Sequence, residues 1–215
     1  MGLQIFASIP YWDQARAVSV FREHVDVFDG ISLFWYRLDE DGSIVKYDAT
    51  VEDTSIISFA HANDVQILAL IANLPERGDW DAELVDAVIS TPERRRTHVN
   101  DILALLKEKD FDGVSIDYEF LNDSQKNDFT AFVNELGRAL HEHGKILAVA
   151  IHPQRLGEET RGQDIPSLTG ADILVFMTYD EHWETSNPGP MASISWMREV
   201  LTYAKRLRVP LRQIY

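Results

Sequence analysis

Two carboxylates, Asp117 and Glu119, stand two residues apart in the run Phe111-Asp112-Gly113-Val114-Ser115-Ile116-Asp117-Tyr118-Glu119-Phe120. Side chains alternate faces along a strand. Val114, Ile116, Tyr118 and Phe120 then share one face, suited to packing under helices. Gly113, Ser115, Asp117 and Glu119 share the other, which points inward in a barrel. Two acids on an inward face are costly as plain core, because buried charges need partners. Two close carboxylates cannot both ionise freely, so one pKa is expected to rise, as a general acid working near neutral pH requires. The competing reading is an internal hydrogen-bond cluster or a solvated strand end.

A second chemical stretch is Leu174-Val175-Phe176-Met177-Thr178-Tyr179-Asp180-Glu181-His182-Trp183. An apolar strand ends there in a phenol, acids, an imidazole and an indole. The Tyr179 hydroxyl can donate a hydrogen bond to a substrate oxygen, and Trp183 can stack on a sugar face. Trp12 and Trp35, each beside a strand, are candidate aromatic platforms of the same kind, against the plainer reading that they cap the core. His152, at the end of another strand, is a candidate substrate contact. His141-Glu142-His143 looks like a metal cluster, but an i, i+2 spacing near a helix end points the two imidazoles apart. No metal and no cofactor is expected.

The elements that must carry these groups alternate. Apolar, β-rich runs span 3–9, 27–35, 65–74, 111–120, 145–151 and 172–179. Their near-continuous Ile, Val, Leu, Phe and Ala content is that of parallel strands covered on both faces. Between them, Thr91-Pro92 reads as N-cap and N1 of a helix reaching about Lys109. Phe129, Phe132, Val133, Leu136 and Leu140 make one apolar stripe, closed by Gly144 at C′. Asp13, Glu52 and Asp123 mark further helix starts, and Trp196, Val200, Tyr203, Ala204 and Leu207 a last stripe. Repeated βα units imply a parallel sheet with right-handed crossovers. No GxGxxG or GxxxxGK[ST] follows the first strand, which removes the main support for a nucleotide-binding open sheet.

The 215 residues suit one domain. A closed (β/α)₈ barrel usually takes about 250, and the count here stops near six strands, with Arg212-Gln213-Ile214-Tyr215 reading as the start of a seventh. Lys plus Arg number 20 and Asp plus Glu 35, a net charge of −15. That argues against a nucleic-acid partner, whose binding rests on clustered Lys and Arg. The absence of cysteine excludes disulfides and thiolate chemistry. No apolar run approaches the ~18 residues of a membrane span, and MGLQIFASIPYW lacks the build of a signal peptide.

The two chemical stretches together resemble glycoside hydrolase family 18, the chitinase-like fold. DGVSIDYE is similar to its DGxDxDxE signature and VFMTYDEHW to its MxYD strand; their order and spacing match its fourth and sixth strands. IPYWD, LFWYRLD, LALIANL and VAIHP resemble patterns of the bacterial spore-germination and cell-wall group. The resemblance implies one catalytic domain over 1–215, of TIM-barrel type, truncated after about six βα units and lacking the last two strands. It implies retaining, substrate-assisted hydrolysis of a β-1,4 bond next to N-acetylglucosamine in peptidoglycan or a chitin-like glycan. Glu119 would protonate the glycosidic oxygen. Asp117 would orient the substrate acetamide, whose oxygen attacks the anomeric carbon, and Tyr179 would hold that oxygen in line. Asp180 would bind substrate hydroxyls, with Met177, Trp183, His152, Trp12 and Trp35 lining the cleft. The chain departs from the pattern at Ser115, where the family has an Asp, and at Ala72-Asn73, where chitinases carry Gly-Gly. An open barrel invites self-association to cover it, and the family points to the cell envelope or a secreted setting. The alternative on the same fold is a catalytically silent glycan-binding module.

Overall fold

The computed structural model describes residues 4–153, 162–179, 181–182 and 186–207. The expected start of a seventh strand at 212–215 lies outside them. All six expected strands are present: β1 (Phe6–Pro10), β2 (Gly30–Leu38), β4 (Gln66–Ala72), β5 (Gly113–Asp117), β6 (Ile146–Ile151) and β7 (Ile173–Phe176). Each pairs in parallel with the next, in the spatial order β1-β2-β4-β5-β6-β7. A short β3 (Ile44–Lys46), which the apolar pattern did not flag, pairs antiparallel with the end of β2. Spatial order follows chain order throughout, so there is no switch point of the kind that makes the ligand crevice of a doubly wound sheet. The sheet is instead a curled half-barrel, wound one way.

The two faces of the sheet differ in kind. The outer face joins Ile31, Leu33, Ile67, Ile71, Val114, Ile116, Leu147, Val149, Leu174 and Phe176 to the helices in one core. Those helices are α1 (Gln14–Glu23), α2 (Thr54–Ala62), α3 (Ala82–Ile89), α4 (Pro92–Lys109), α5 (Lys126–Glu142) and α6 (Ile194–Arg206). The Thr91 hydroxyl accepts from the Arg94 N–H at 3.2 Å, and Pro92 opens α4 as expected. Gly144, with φ +67°, follows the end of α5. The inner face holds two small clusters: Leu68, Ala148 and Ile173 toward the strand starts, and Phe34, Tyr47, Leu70 and Ala72 toward the strand ends.

An aspartate precedes three strands and locks the register of the strand before it. Asp29 accepts from the Ile5 N–H at 2.7 Å, Asp112 from Ile67 at 2.8 Å and Asp172 from Leu147 at 2.9 Å. Helix histidines back two of them: His61 lies 3.2 Å from Asp112, and His141 3.0 Å from Asp172. His141 thus has a structural partner in Asp172, and among the described residues there is no group of three or more His, Cys, Asp or Glu that could hold a metal ion. No described helix is long and apolar enough to cross a membrane.

The seat of α5 against the loop before β7 depends on Gly137. A Cβ there would overlap the carbonyl and Cα of Gly170. Alanine is intrinsically the better helix former by about 1 kcal/mol, but a backbone collision cannot relax cheaply. Gly137→Ala is therefore expected to destabilise by roughly 1–3 kcal/mol, read as a lowered urea midpoint. A raised midpoint would mean that α5 and residue 170 do not meet in this way.

Candidate active site

The site is built at the C-terminal end of β5. The outward residues Val114, Ile116 and Tyr118 are essentially buried in the helix-side core, so the strand's other face is committed inward. Asp117 is inner-facing and pairs across the ladder with Ala72 of β4. Its Oδ1 is sealed from solvent and has no hydrogen-bond partner. Burial pushes the Asp117 carboxyl up to about 7. The expectation of one raised carboxyl is met at Asp117, with desolvation the leading cause. Ser115, one step down the same face, is also buried.

Glu119 lies past the ladder, half-buried. Its main chain is held by Asn73, the residue after β4, which is wholly buried. The Glu119 N–H donates to Asn73 Oδ1 at 2.8 Å, and Asn73 Nδ2 donates to the Glu119 carbonyl at 3.0 Å. Phe120 then takes a left-handed φ of +55°, an uncommon backbone for a bulky residue. Its ring is exposed and lies 5.6 Å from that of His152. His152 is positioned by another buried amide: its N–H donates to Gln163 Oε1 at 3.1 Å while Gln163 Nε2 donates to the Ala150 carbonyl at 3.0 Å.

Tyr118 is anchored behind the site. Its hydroxyl is 2.7 Å from Nε2 of the buried His98, and both rings stack with Phe132. Burial lowers the His98 pKa to about 4 and holds the Tyr118 phenol well above its usual value. A neutral imidazole and a protonated phenol share this hydrogen bond in one of two senses: the phenol donates to Nε2, or an Nε2–H tautomer donates to the phenol oxygen.

The aromatic ledge lies toward β1 and β2. Trp12 is 63% exposed and contacts Tyr11 and Phe34 edge-on, at centroid distances of 5.0 and 5.6 Å. Tyr11 stacks on Tyr47 at 4.1 Å, and the Tyr47 hydroxyl donates to the Leu74 carbonyl at 2.7 Å. The phenol of Tyr47 is held above its usual range, first by burial, with the Asp117 carboxylate among the nearby charges that add to it.

Trp35 needs a correction. It is 1% exposed, its Nε1 donates to Gln14 Oε1 at 2.7 Å, and it packs edge-on to Phe111. A sealed indole offers no face to a sugar. Trp35 follows Ile31 and Leu33 onto the helix-side face by strict alternation, and the register shift between Phe34 and Tyr36 brings Tyr36 into the same core. Phe34 takes the inner position instead. At the other end of the sheet, Met177 is buried one residue past β7, its N–H donating to the Ile151 carbonyl at 3.2 Å. Tyr179, two residues on, is 46% exposed. Asp180 and Trp183 lie outside the described residues. The sequence reading missed His98 and Gln163, took Asn73 only as a departure from Gly-Gly, and placed Phe120 with Tyr118 under the helices, whereas its left-handed backbone takes it off that face and leaves the ring exposed. The one local signal was a polar Asn directly after a seven-residue apolar strand.

The chain matches the model of the glycosyl hydrolases family 18 over residues 78–213. It is 28% identical over 199 residues to YdhD of Bacillus subtilis (strain 168), which carries the provisional name of a sporulation-specific glycosylase; the match covers 91% of this chain and 46% of YdhD. Among solved structures, a class V chitinase from Pseudomonas fluorescens Pf-5 superposes with a TM-score of 0.86 at 26% identity, over 97% of this chain and 66% of that one. A chitinase from Chromobacterium violaceum ATCC 12472 gives 0.85 at 25% identity, over 97% and 66%. The chain spans about half the length of the curated relative and two thirds of these structures. With the family model covering more than half of the chain, and the curled sheet carrying its acids at the strand ends, the chain belongs to the glycosyl hydrolases family 18.

Proposed function

We propose that the domain hydrolyses a β-1,4 glycosidic bond next to an N-acetylglucosamine, with retention and with the substrate's own acetamide as nucleophile. The observation that carries this reading is the pairing of a desolvated Asp117 with Glu119, whose backbone is fixed at the mouth of the sheet. Glu119 gives its proton to the leaving sugar oxygen and later takes one from water. Asp117 accepts from the acetamide N–H and stabilises the positive charge that develops on the ring it closes. The low dielectric that raises its pKa also strengthens that interaction once charge appears. Tyr179, exposed past β7, donates to the acetamide oxygen and holds it in line. Asp180 binds hydroxyls, Met177 and His152 line the cleft, and Trp12 supplies the open indole face. Chitin-like polymers and peptidoglycan both present this unit; the glycosylase and chitinase names of the relatives support the class.

The room for the acetamide is consistent with the register. Asp117 faces Ala72 across one ladder. On the other side the β5–β6 pairing ends at Ile116 and Val149, which puts the small Ala150 next in line. The flanking positions on both neighbouring strands are thus alanines.

Three outcomes test the reading. Glu119→Gln abolishes turnover of an N-acetylglucosamine oligomer, a loss of at least about a hundredfold in kcat, while binding measured by calorimetry survives. Turnover equal to the unchanged chain removes Glu119 as the acid; binding without turnover in the unchanged chain favours the glycan-binding module. An N-acetylglucosamine thiazoline, which mimics the cyclised intermediate, is expected to compete with substrate, and a failure to compete argues against acetamide participation. The third outcome concerns pH. The Asp117 carboxyl holds its proton more tightly folded, at about 7, than at its ordinary 3.8, so the folded state binds more protons between these values and loses stability as pH rises through them. Asp117→Asn removes that loss. Its melting temperature relative to the unchanged chain therefore climbs from about pH 4 to pH 7. Parallel melting curves across that range would mean that the carboxyl is solvated.

A further inference from the structure

We propose that Asn73 is a positioning residue for Glu119: its side-chain amide extends the β4–β5 pairing by one rung and fixes where the acid's side chain departs from the backbone. The inference rests on Glu119 being the acid, but its test does not depend on turnover alone.

The main-chain ladder between β4 and β5 ends at Ala72 and Asp117. Two residues further on, the Glu119 N–H and carbonyl lie past the last rung in a half-buried position, where satisfying main-chain polar groups matters for stability. The Asn73 amide meets both at once, as acceptor at 2.8 Å and donor at 3.0 Å. Its second amide hydrogen serves the Asp81 carbonyl at 3.0 Å, and the Asn73 carbonyl accepts from the Asp81 N–H at 3.0 Å. Asp81 in turn caps α3, accepting from the Glu83 N–H at 2.8 Å. One wholly buried side chain therefore joins the end of β4, the start of α3 and the backbone of Glu119.

The chemistry of the position is narrow. It needs an acceptor and two donors on one short side chain. Aspartate keeps the acceptor but turns a carboxylate on two carbonyl oxygens. Alanine loses all of it. Glutamine is a methylene too long for the same geometry. A parallel device at β6 supports the reading. Gln163, also buried, bridges the Ala150 carbonyl and the His152 N–H. On both sides of β5 a buried side-chain amide thus bonds main chain at or just past the end of a strand.

A merely structural Asn73 would affect stability and leave the chemistry of the surviving folded molecules unchanged. A positioning Asn73 predicts more. Asn73→Ala lowers kcat on an N-acetylglucosamine oligomer by about a hundredfold, the scale of an ångström's misplacement, with KM within about threefold. It also moves the basic limb of the kcat–pH profile, because the freed carboxyl samples a different environment. Amide hydrogen exchange at Glu119 speeds up in the folded variant. Asn73→Asp retains the acceptor, so it keeps the Glu119 amide slow while kcat still falls. An unchanged kcat and pH profile in either folded variant overturns the proposal. So does a Glu119 amide that exchanges in the unchanged chain like an open loop, a measurement that stands even if Asn73→Ala does not fold. If the unchanged chain shows protection at Glu119 but no turnover of any oligomer, the clamp is present and it is the hydrolase reading that fails.

Discussion

A carboxyl with one oxygen sealed from water at the end of one strand is the constraint around which this domain is arranged. Asp117 has a sealed oxygen without a partner and a pKa pushed up to about 7 by burial. An arrangement of that kind weakens a fold, since an unpaired buried polar group costs on the order of 1–3 kcal/mol. The neighbouring positions show how it is accommodated. Ala72 beside it removes bulk without adding charge. The outward residues on either side of it, Ile116 and Tyr118, are buried to within 1%. The strand cannot rotate to hydrate its carboxyl without exposing that core, a packing loss of several kcal/mol at about 25 cal/mol per Å² of apolar surface.

Rigidity behind the site has its own polar component. His98 and Tyr118 pair in the helix-side core, with both rings stacked against Phe132. The hydrogen bond ties α4 to the one residue that lies between Asp117 and Glu119. Burial keeps the imidazole neutral, so the contact is an uncharged hydrogen bond between ring and phenol. The Nδ1 atom is left without a partner. A leucine–phenylalanine pair would pack without that cost but would not fix the rotation of Tyr118 about the strand axis. Directional bonds inside a core trade stability for a single arrangement, and here the arrangement is the twist of the strand that carries the acids.

The strands of this fold were legible because apolar runs of parallel strands are nearly unbroken, and the helices α4 and α5 because their caps and stripes are local signals. The inward placement of Asp117 was legible for the same reason: β5 is regular, and period two holds to its end. Trp35 was misread although period two places it on the outer face with Ile31 and Leu33; the register shift that follows adds Tyr36 to that side, and no sequence feature marks it. The helix α3 escaped because its eight residues follow a loop and merge with the start of α4. Asn73 escaped for a deeper reason. Its partners are 46 residues away at Glu119 and 8 away at Asp81. The function of a buried amide lies in which main-chain groups are brought to it, and that is a property of the sheet. Tyr47, on the loop after β3, reached the inner cluster in the same way.

The left-handed backbone at Phe120 follows from the same geometry. Once Glu119 is held on both its N–H and its carbonyl, the chain cannot continue along β5 without running over the mouth of the sheet, and it must turn at the next residue. A φ of +55° accomplishes the turn. Glycine would adopt it freely, whereas a bulky residue is strained there, by about 1–3 kcal/mol in such regions. The strain persists only because its surroundings over-determine it: the Asn73 clamp precedes it, and Leu121 behind it is buried against Gly162, where even a Cβ would collide. The turn and the clamp are therefore one device. Relaxing Phe120 into an extended conformation would pull the Glu119 carbonyl off the Asn73 amide, and releasing Asn73 would remove the reason for the turn. Between them they set the last peptide before the acid as firmly as a strand would, at a place the strands do not reach.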